Sequence, residues 1–161
     1  MTSPTNSDNY LLKIRHKCLR LPFGDRIFSA IFARKAPYFR TIKPHIIELR
    51  PNYCELIFKK RKAVLNHIGT VHAIALCNGL EMAMGALAEA SIPKHLRWIP
   101  KSMNVHYTAK ANDHIRVVAE LAADAWQEGD VAVPVKAMKQ DGTVVIEGEI
   151  IIYVSAKPVR S

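Results

Sequence analysis

The sequence predicts an α+β fold in which a basic helical extension precedes one long central helix wrapped by a curved antiparallel sheet. Three observations carry this. Residues 71–90 are almost all apolar or small, with His72, Asn78, Glu81 and Glu89 the exceptions, and a helix apolar on all sides is normally enclosed by protein. Beyond Pro93 four runs alternate apolar and polar side chains, the period of half-buried strands. Two further period-two runs before the helix are available to complete the sheet. At 161 residues the chain is a domain of ordinary size, long enough to bury a core.

Taken in order, residues 1–9 are polar, contain Asp8 and lack a basic region followed by an apolar one, so no secretory signal is expected. Residues 10–21 place Tyr10, Ile14, Cys18 and Leu21 at near-helical spacing, with Lys13, Arg15, Lys17 and Arg20 between them, which predicts an amphipathic basic helix. Pro22-Phe23-Gly24 ends it. Asp25 is then expected to cap a second helix whose apolar side is Ile27, Phe28, Ile31 and Phe32. Such a pair can lie on a membrane surface, but covering one edge of the domain is the commoner use. A mitochondrial transit peptide fits less well, because the segment is basic without being Ser-rich. Residues 1–38 are read as this extension and 39–161 as the main domain.

Residues 42–49 and 53–58 read as a strand pair joined through Arg50-Pro51-Asn52, good turn chemistry. Lys59-Lys60-Arg61-Lys62 follows, by default a solvated strand end and otherwise a phosphate contact beside the central helix. Ser91-Ile92-Pro93 stops that helix. The later strand runs centre on Met103, Val105 and Tyr107; on Ile115, Val117, Ala119 and Leu121; on Val131, Val133 and Val135; and on Val144 to Val154. Asn112-Asp113, Glu128-Gly129 and Asp141-Gly142 are expected as hairpin turns, making a four-stranded meander. Pro134 suggests an edge or bulged position. His106 and His114 fall on polar faces.

Charge and cysteines narrow the function classes. The net charge is +9; residues 1–65 hold 14 Lys and Arg against 4 Asp and Glu, and residues 66–161 hold 9 against 10. The basicity therefore belongs to the first part. It could meet nucleic acid, anionic lipid or a phosphorylated ligand, but no nucleic-acid motif accompanies it, and a solvated basic face is the simpler reading. Cys18, Cys54 and Cys77 are odd in number and show no zinc spacing. No metal site is expected, and a reducing compartment, the cytoplasm, is the simplest account.

The stretch from Asn66 to Glu81 is the candidate site. Gly69 lets the chain bend sharply, Thr70 is the expected N-cap, and first-turn N–H groups around His72, Ala73 and Ile74 remain as donors for something negative or polarised. An apolar run of this length could also span a membrane, but a central carboxylate makes insertion costly. A mid-helix Glu is most often solvent-facing or paired with a surface cation. The neighbours of Glu81 at helical spacing, Cys77, Asn78, Leu80, Met84 and Gly85, do not form a solvated face, so burial should raise its pKa. Asn78 is read as lying on nearly the same face. His72 and Glu81, nine residues apart, lie on opposite sides of the helix and cannot pair within one chain. A subunit interface is one place where Glu81 would find partners.

These residues carry a resemblance. The stretch is similar to the Asn-x-x-Gly-x-x-His-Gly-Gly pattern, with Asp or Glu nine residues after the His, of phenylacetic-acid-type thioesterases: Asn66, Gly69, His72 and Glu81 occupy the positions without a gap. Over residues 40–156 the chain resembles the hotdog-fold acyl-CoA thioesterase superfamily, and within it a branch described as a hotdog domain of unknown function. The resemblance implies a homodimer, or a dimer of dimers, with central helices side by side and thioester sites at the interface. It implies an acyl carbonyl held by a backbone N–H near Ala73 or Ile74. Glu81 from the partner subunit would be general base or nucleophile, Asn66 would orient water or carbonyl, and His72 would fix the turn. No separate cofactor is implied, CoA entering as part of the substrate.

Departures accompany the match. Ala73-Ile74 replaces Gly-Gly, removing close backbone access. A hydroxyl that assists the carboxylate in relatives would fall near Pro100, with Ser102 the nearest substitute. Lys110 stands where many relatives have Pro; with Lys101 and Arg97 it is read, from charge, as a contact for the cofactor phosphates. A non-catalytic acyl-CoA or lipid-binding dimer is the alternative of another class. A dehydratase of the same fold would need a catalytic His, a role in which nothing places His72.

Overall fold

A computed structural model describes residues 9–158. Its elements are α1 (Tyr10–Cys18), α2 (Gly24–Lys35), a 3-10 helix (Pro37–Ile42), β1 (His45–Arg50), β2 (Tyr53–Phe58), a 3-10 turn (Lys62–Val64), α3 (Ala73–Ser91), β3 (Leu96–Tyr107), β4 (Ile115–Glu120), β5 (Gly129–Met138) and β6 (Val144–Ala156). One antiparallel sheet runs in the order β1-β2-β4-β5-β6-β3. Helix α3 packs across five of its strands. This is the α+β architecture expected.

The core follows from the composition of α3. Leu76, Leu80, Met82, Ala83, Met84, Ala86, Leu87 and Ala90 are buried on it, facing Leu56, Phe58, Val117, Val133, Ile146, Ile150 and Ile152 from the sheet. Gly79 allows close approach, since a Cβ there would lie 3.0 Å from the Phe58 ring and 3.2 Å from Val117. By length and composition α3 could cross a membrane, but 67% of that window is buried inside the fold. It is the core helix.

The helical extension shares this core. Leu11, Cys18, Phe28, Phe32 and Ala33 join the same hydrophobic cluster as α3 and the sheet. Asn9 caps α1 by accepting from the N–H groups of Leu11 and Leu12, and its Nδ2 donates to the Glu89 carbonyl on α3. Helix α1 ends at Cys18, short of the expected Leu21, because the chain must turn: a Cβ on Gly24 would lie 1.9 Å from the Cys18 carbonyl oxygen. Tyr10 and Leu21, expected on the buried side, are exposed. Asp25 is not the cap of α2. Phe23 takes that position at φ 57°, and the Asp25 carboxylate pairs instead with His45 Nε2 at 2.5 Å. That bond, with the Arg26 N–H, holds the Asp25 carboxyl below its ordinary range.

The strands depart from expectation in several places, Glu128-Gly129 among them, since Gly129 is the first residue of β5 and not a hairpin turn. Residues 42–44 are not strand, because Lys43 at φ 49° closes the preceding 3-10 helix. The expected four-stranded meander has three strands: β4, β5 and β6 run consecutively, whereas β3 pairs with β6 at the far edge and connects to β4 across the sheet. Asn112-Asp113 is therefore not a hairpin turn. Strand β3 also begins six residues before Ser102 and carries a bulge between Pro100 and Ser102. Strand β5 is internal. Pro134 sits one residue past the last β4 pair, Ala119 with Val135, where that ladder ends. The Pro51-Asn52 turn, with Asn52 at φ 64°, and the Asp141-Gly142 turn form as expected.

Candidate active site

The turn before α3 is built by Asn66. Its Oδ1 accepts from the N–H groups of Ile68 and Thr70, its Nδ2 donates to Thr70 Oγ1 at 2.8 Å, and its backbone exchanges bonds with Thr70 and Gly69. Gly69 turns the chain at φ 78°. Asn66 is thus largely occupied in shaping the loop. Thr70 is engaged by Asn66 and does not cap the helix.

The cap is His72, whose Nδ1 accepts from the Ile74 N–H at 3.0 Å. Accepting at Nδ1 leaves the neutral ring its proton on Nε2. This bond also occupies one of the two expected oxyanion donors. The Ala73 N–H has no partner among the described residues, while the next two N–H groups, of Ala75 and Leu76, return to the His72 carbonyl. One first-turn donor is left for a ligand. His72→Ala should cost about 1 kcal/mol, the ordinary value of a cap. Thermal unfolding would read this as a drop of about 2–4 °C; a loss several times larger would mean that the ring holds more than the Ile74 N–H.

Beside this entrance lies a hollow of about 400 Å³ lined by Tyr38, Thr41, Val64, Leu65, His72, Ile74 and Asn78. Asn78 is 5% exposed; its Nδ2 donates to the Tyr38 carbonyl and to Thr41 Oγ1, and its Oδ1 is buried without a partner among the described residues. Asn78 therefore ties α3 to the 3-10 helix and lines a different hollow from Glu81, although three residues leave the two only about 60° apart around the helix. Arg61 reaches the Thr41 carbonyl, and Lys60 Nζ the Asn112 carbonyl at 3.2 Å, so part of the basic run fastens this end of the fold.

Glu81 is solvent-exposed in the single chain, which corrects the expectation that its surroundings are dry. Ile74, 53% exposed, and half-buried Cys77 continue the same stripe of α3 toward the helix start. Glu81 lines a hollow of about 180 Å³ with Pro100, Lys101, Ser102, Met103 and Ile150. The structure thus brings Ser102 and Glu81 together. Lys101 lies there too, with its Nζ paired to Asp130 at 2.5 Å. Arg97 bonds Ser155 Oγ along the sheet, and Lys110 is exposed in the loop after β3; neither lines the hollow of Glu81. Sequence reasoning missed Tyr107, whose hydroxyl sits 3.8 Å from Cys77 Sγ. That contact, then burial, pushes the phenol's pKa up.

Two candidate elements thus stand apart within one chain, an unspent N–H at the start of α3 and a carboxylate two turns along it. A long apolar helix under a six-stranded antiparallel sheet defines a hotdog-fold protein. The chain belongs to the family described as domain of unknown function DUF4442, whose model matches residues 24–154. None of the curated proteins matches it. Among solved structures, the structural-genomics protein APC5556 is 45% identical over 92% of this chain and 99% of its own, with a TM-score of 0.81. A Pseudomonas aeruginosa protein of unknown function, PA5026, named a probable thioesterase, is 24% identical over 85% of this chain and 97% of its own, at 0.72. A thioesterase family protein from Silicibacter pomeroyi is 16% identical over 84% and 100%, at 0.69. These last two share the fold.

Proposed function

We propose that the protein is an acyl-CoA thioester hydrolase working as a cytoplasmic homodimer, with Glu81 as general base or nucleophile. The observation that carries this is the unspent Ala73 N–H at the start of the helix whose exposed side bears Glu81, with Ser102 beside the carboxylate. A backbone donor at a helix start stabilises the oxyanion that forms when a thioester carbonyl is attacked. Glu81 activates water, or attacks and is then released by water, and the CoA thiolate leaves.

Dimerisation supplies what one chain lacks. Strand β3 is a twelve-residue edge strand, and an edge that long asks for a partner. A second copy paired along β3 covers the α3 stripe of Ile74, Cys77 and Glu81 and sets the partner's Glu81 against the Ala73 entrance. A two-fold arrangement makes two such sites. The three unpaired cysteines favour a reducing compartment, and exposed Lys110 and Arg97 remain candidates for the CoA phosphates.

The second reading is a non-catalytic acyl-CoA or lipid-binding dimer, favoured by one observation. The Ile74 N–H is taken by His72, so the hole has one donor fewer. Free-thiol release from short, long and aromatic acyl-CoAs separates the two. Turnover on at least one substrate is expected. Ligand-dependent thermal stabilisation without thiol release would establish the binding protein instead.

A further inference from the structure

The helical extension has a surface that thioester chemistry does not use. Between residues 9 and 43 nine Lys and Arg face a single acidic residue, Asp25, and His45 holds that carboxylate. A cavity of about 490 Å³ opens between α2 and the 3-10 helix, lined by Arg26, Arg34, Arg40, Lys43, His45 and Ser29. The Ser29 hydroxyl is spent on the Asp25 carbonyl and the Ile46 N–H. Arg34, Arg40 and Lys43 have no carboxylate partner among the described residues. Cations converging on a hollow without counter-charge favour an anion.

An apolar ridge runs next to this cavity. Phe23, 73% exposed, stands at the tip of the α1–α2 turn, and Leu19, Leu21, Ile27 and Ile31 are exposed around it. Its φ of 57° and the tight passage of Gly24 against Cys18 fix that outward position. Ile27 and Ile31 fall at successive turns of α2, following Phe23 at its cap, beside the row of Arg26 and Arg34 that lines the cavity. The Arg26 guanidinium lies 6.0 Å from the Phe23 ring, so basic and apolar groups share one edge.

We propose that the α1–α2 hairpin docks on an anionic bilayer, the ridge entering the acyl boundary and the cavity receiving a lipid phosphate. Charge selects this occupant. A second copy would set one strongly basic face against another, whereas a leaflet of acidic lipid offers phosphates and hydrocarbon together. The docking is independent of hydrolysis.

The test is co-sedimentation of the full chain with phosphatidylcholine vesicles, with and without phosphatidylserine. Binding is expected only when phosphatidylserine is present. Arg34→Gln with Arg40→Gln should weaken it about 30-fold, from roughly a tenfold loss per 1.4 kcal/mol and about 1 kcal/mol per cation. Phe23→Ser with Leu21→Ser should weaken it about as much. No binding to the acidic vesicles, or binding that either pair leaves unchanged, overturns the proposal. So does full displacement by inorganic phosphate with the Phe23/Leu21 pair still bound, which would make the cavity a site for free phosphate. A smaller assembly by light scattering for the Phe23/Leu21 pair would give the ridge to a second copy and equally refute docking.

Discussion

Gly148→Ala is expected to destabilise the protein by about 3 kcal/mol, the upper range for forcing atoms into a packed site. Gly148 lies in β6 between Val105 of β3 and Val135 of β5. A Cβ there would sit 2.1 Å from the Asn104 carbonyl oxygen and 2.8 Å from the Val105 Cα, and the residue's φ is +156°. Both obstacles are backbone, so no side chain can swing aside. The strain falls on β3, the last strand of the sheet, which within one chain is held by β6 alone. Thermal unfolding should fall by about 6–12 °C, and light scattering should show a smaller assembly, since β3 is the proposed dimer edge. Gly142→Ala is the comparison: φ is +85° but nothing lies within 4 Å of its Cβ, so only the left-handed backbone opposes it, at about 1–2 kcal/mol. Equal losses for both would show that the close approach to Asn104 is relieved at little cost.

What the sequence discloses depends on how local the information is. Helix α3 is legible because almost every side chain from Ala73 to Ser91 is apolar or small. Strand β2 is legible end to end because its alternation abuts a turn closed by Asn52 in the left-handed region. The place of β3 is not legible, because its pairing with β6 joins residues far apart in the chain, and Asn112-Asp113 has the composition of a hairpin without forming one. Its start is hidden as well. The bulge at Lys101 shifts the inward positions from Leu96 and Trp98 to Met103 and Val105, breaking the period that a strand is read by. The same bulge places Ser102 on the hollow of Glu81. At the helix entrance, Thr70 has the chemistry of a cap, but Asn66 competes for its hydroxyl and His72 takes the position. Glu81 itself was legible as a candidate, while its exposure was not. Its sequence neighbours describe the buried side of α3, and a second chain is what would cover the other.

Glu81→Gln is expected to lower thiol release by about 10²–10⁴-fold, the usual contribution of a positioned acid or base. The amide keeps the size of the side chain and cannot take a proton from water or attack the carbonyl. Because Glu81 is exposed in the single chain and has no ion pair among the described residues, the stability of the single-chain fold should change by no more than about 0.5 kcal/mol. The fall should appear in kcat with KM little altered, as when an interaction is made only in the transition state. A Glu that merely stabilises the fold would give the reverse, a lowered Tm with activity intact. Mixed dimers extend the test to the subunit crossing. A Glu81→Gln chain paired with a Gly69→Val chain, whose entrance turn cannot easily hold φ 78°, contains one site with an intact entrance and an intact carboxylate if the two come from different chains. Such a heterodimer should recover about half of the wild-type rate, one site of two. If each site is built within one chain, every site in that heterodimer is broken, and the rate stays at the level of the single-variant homodimers.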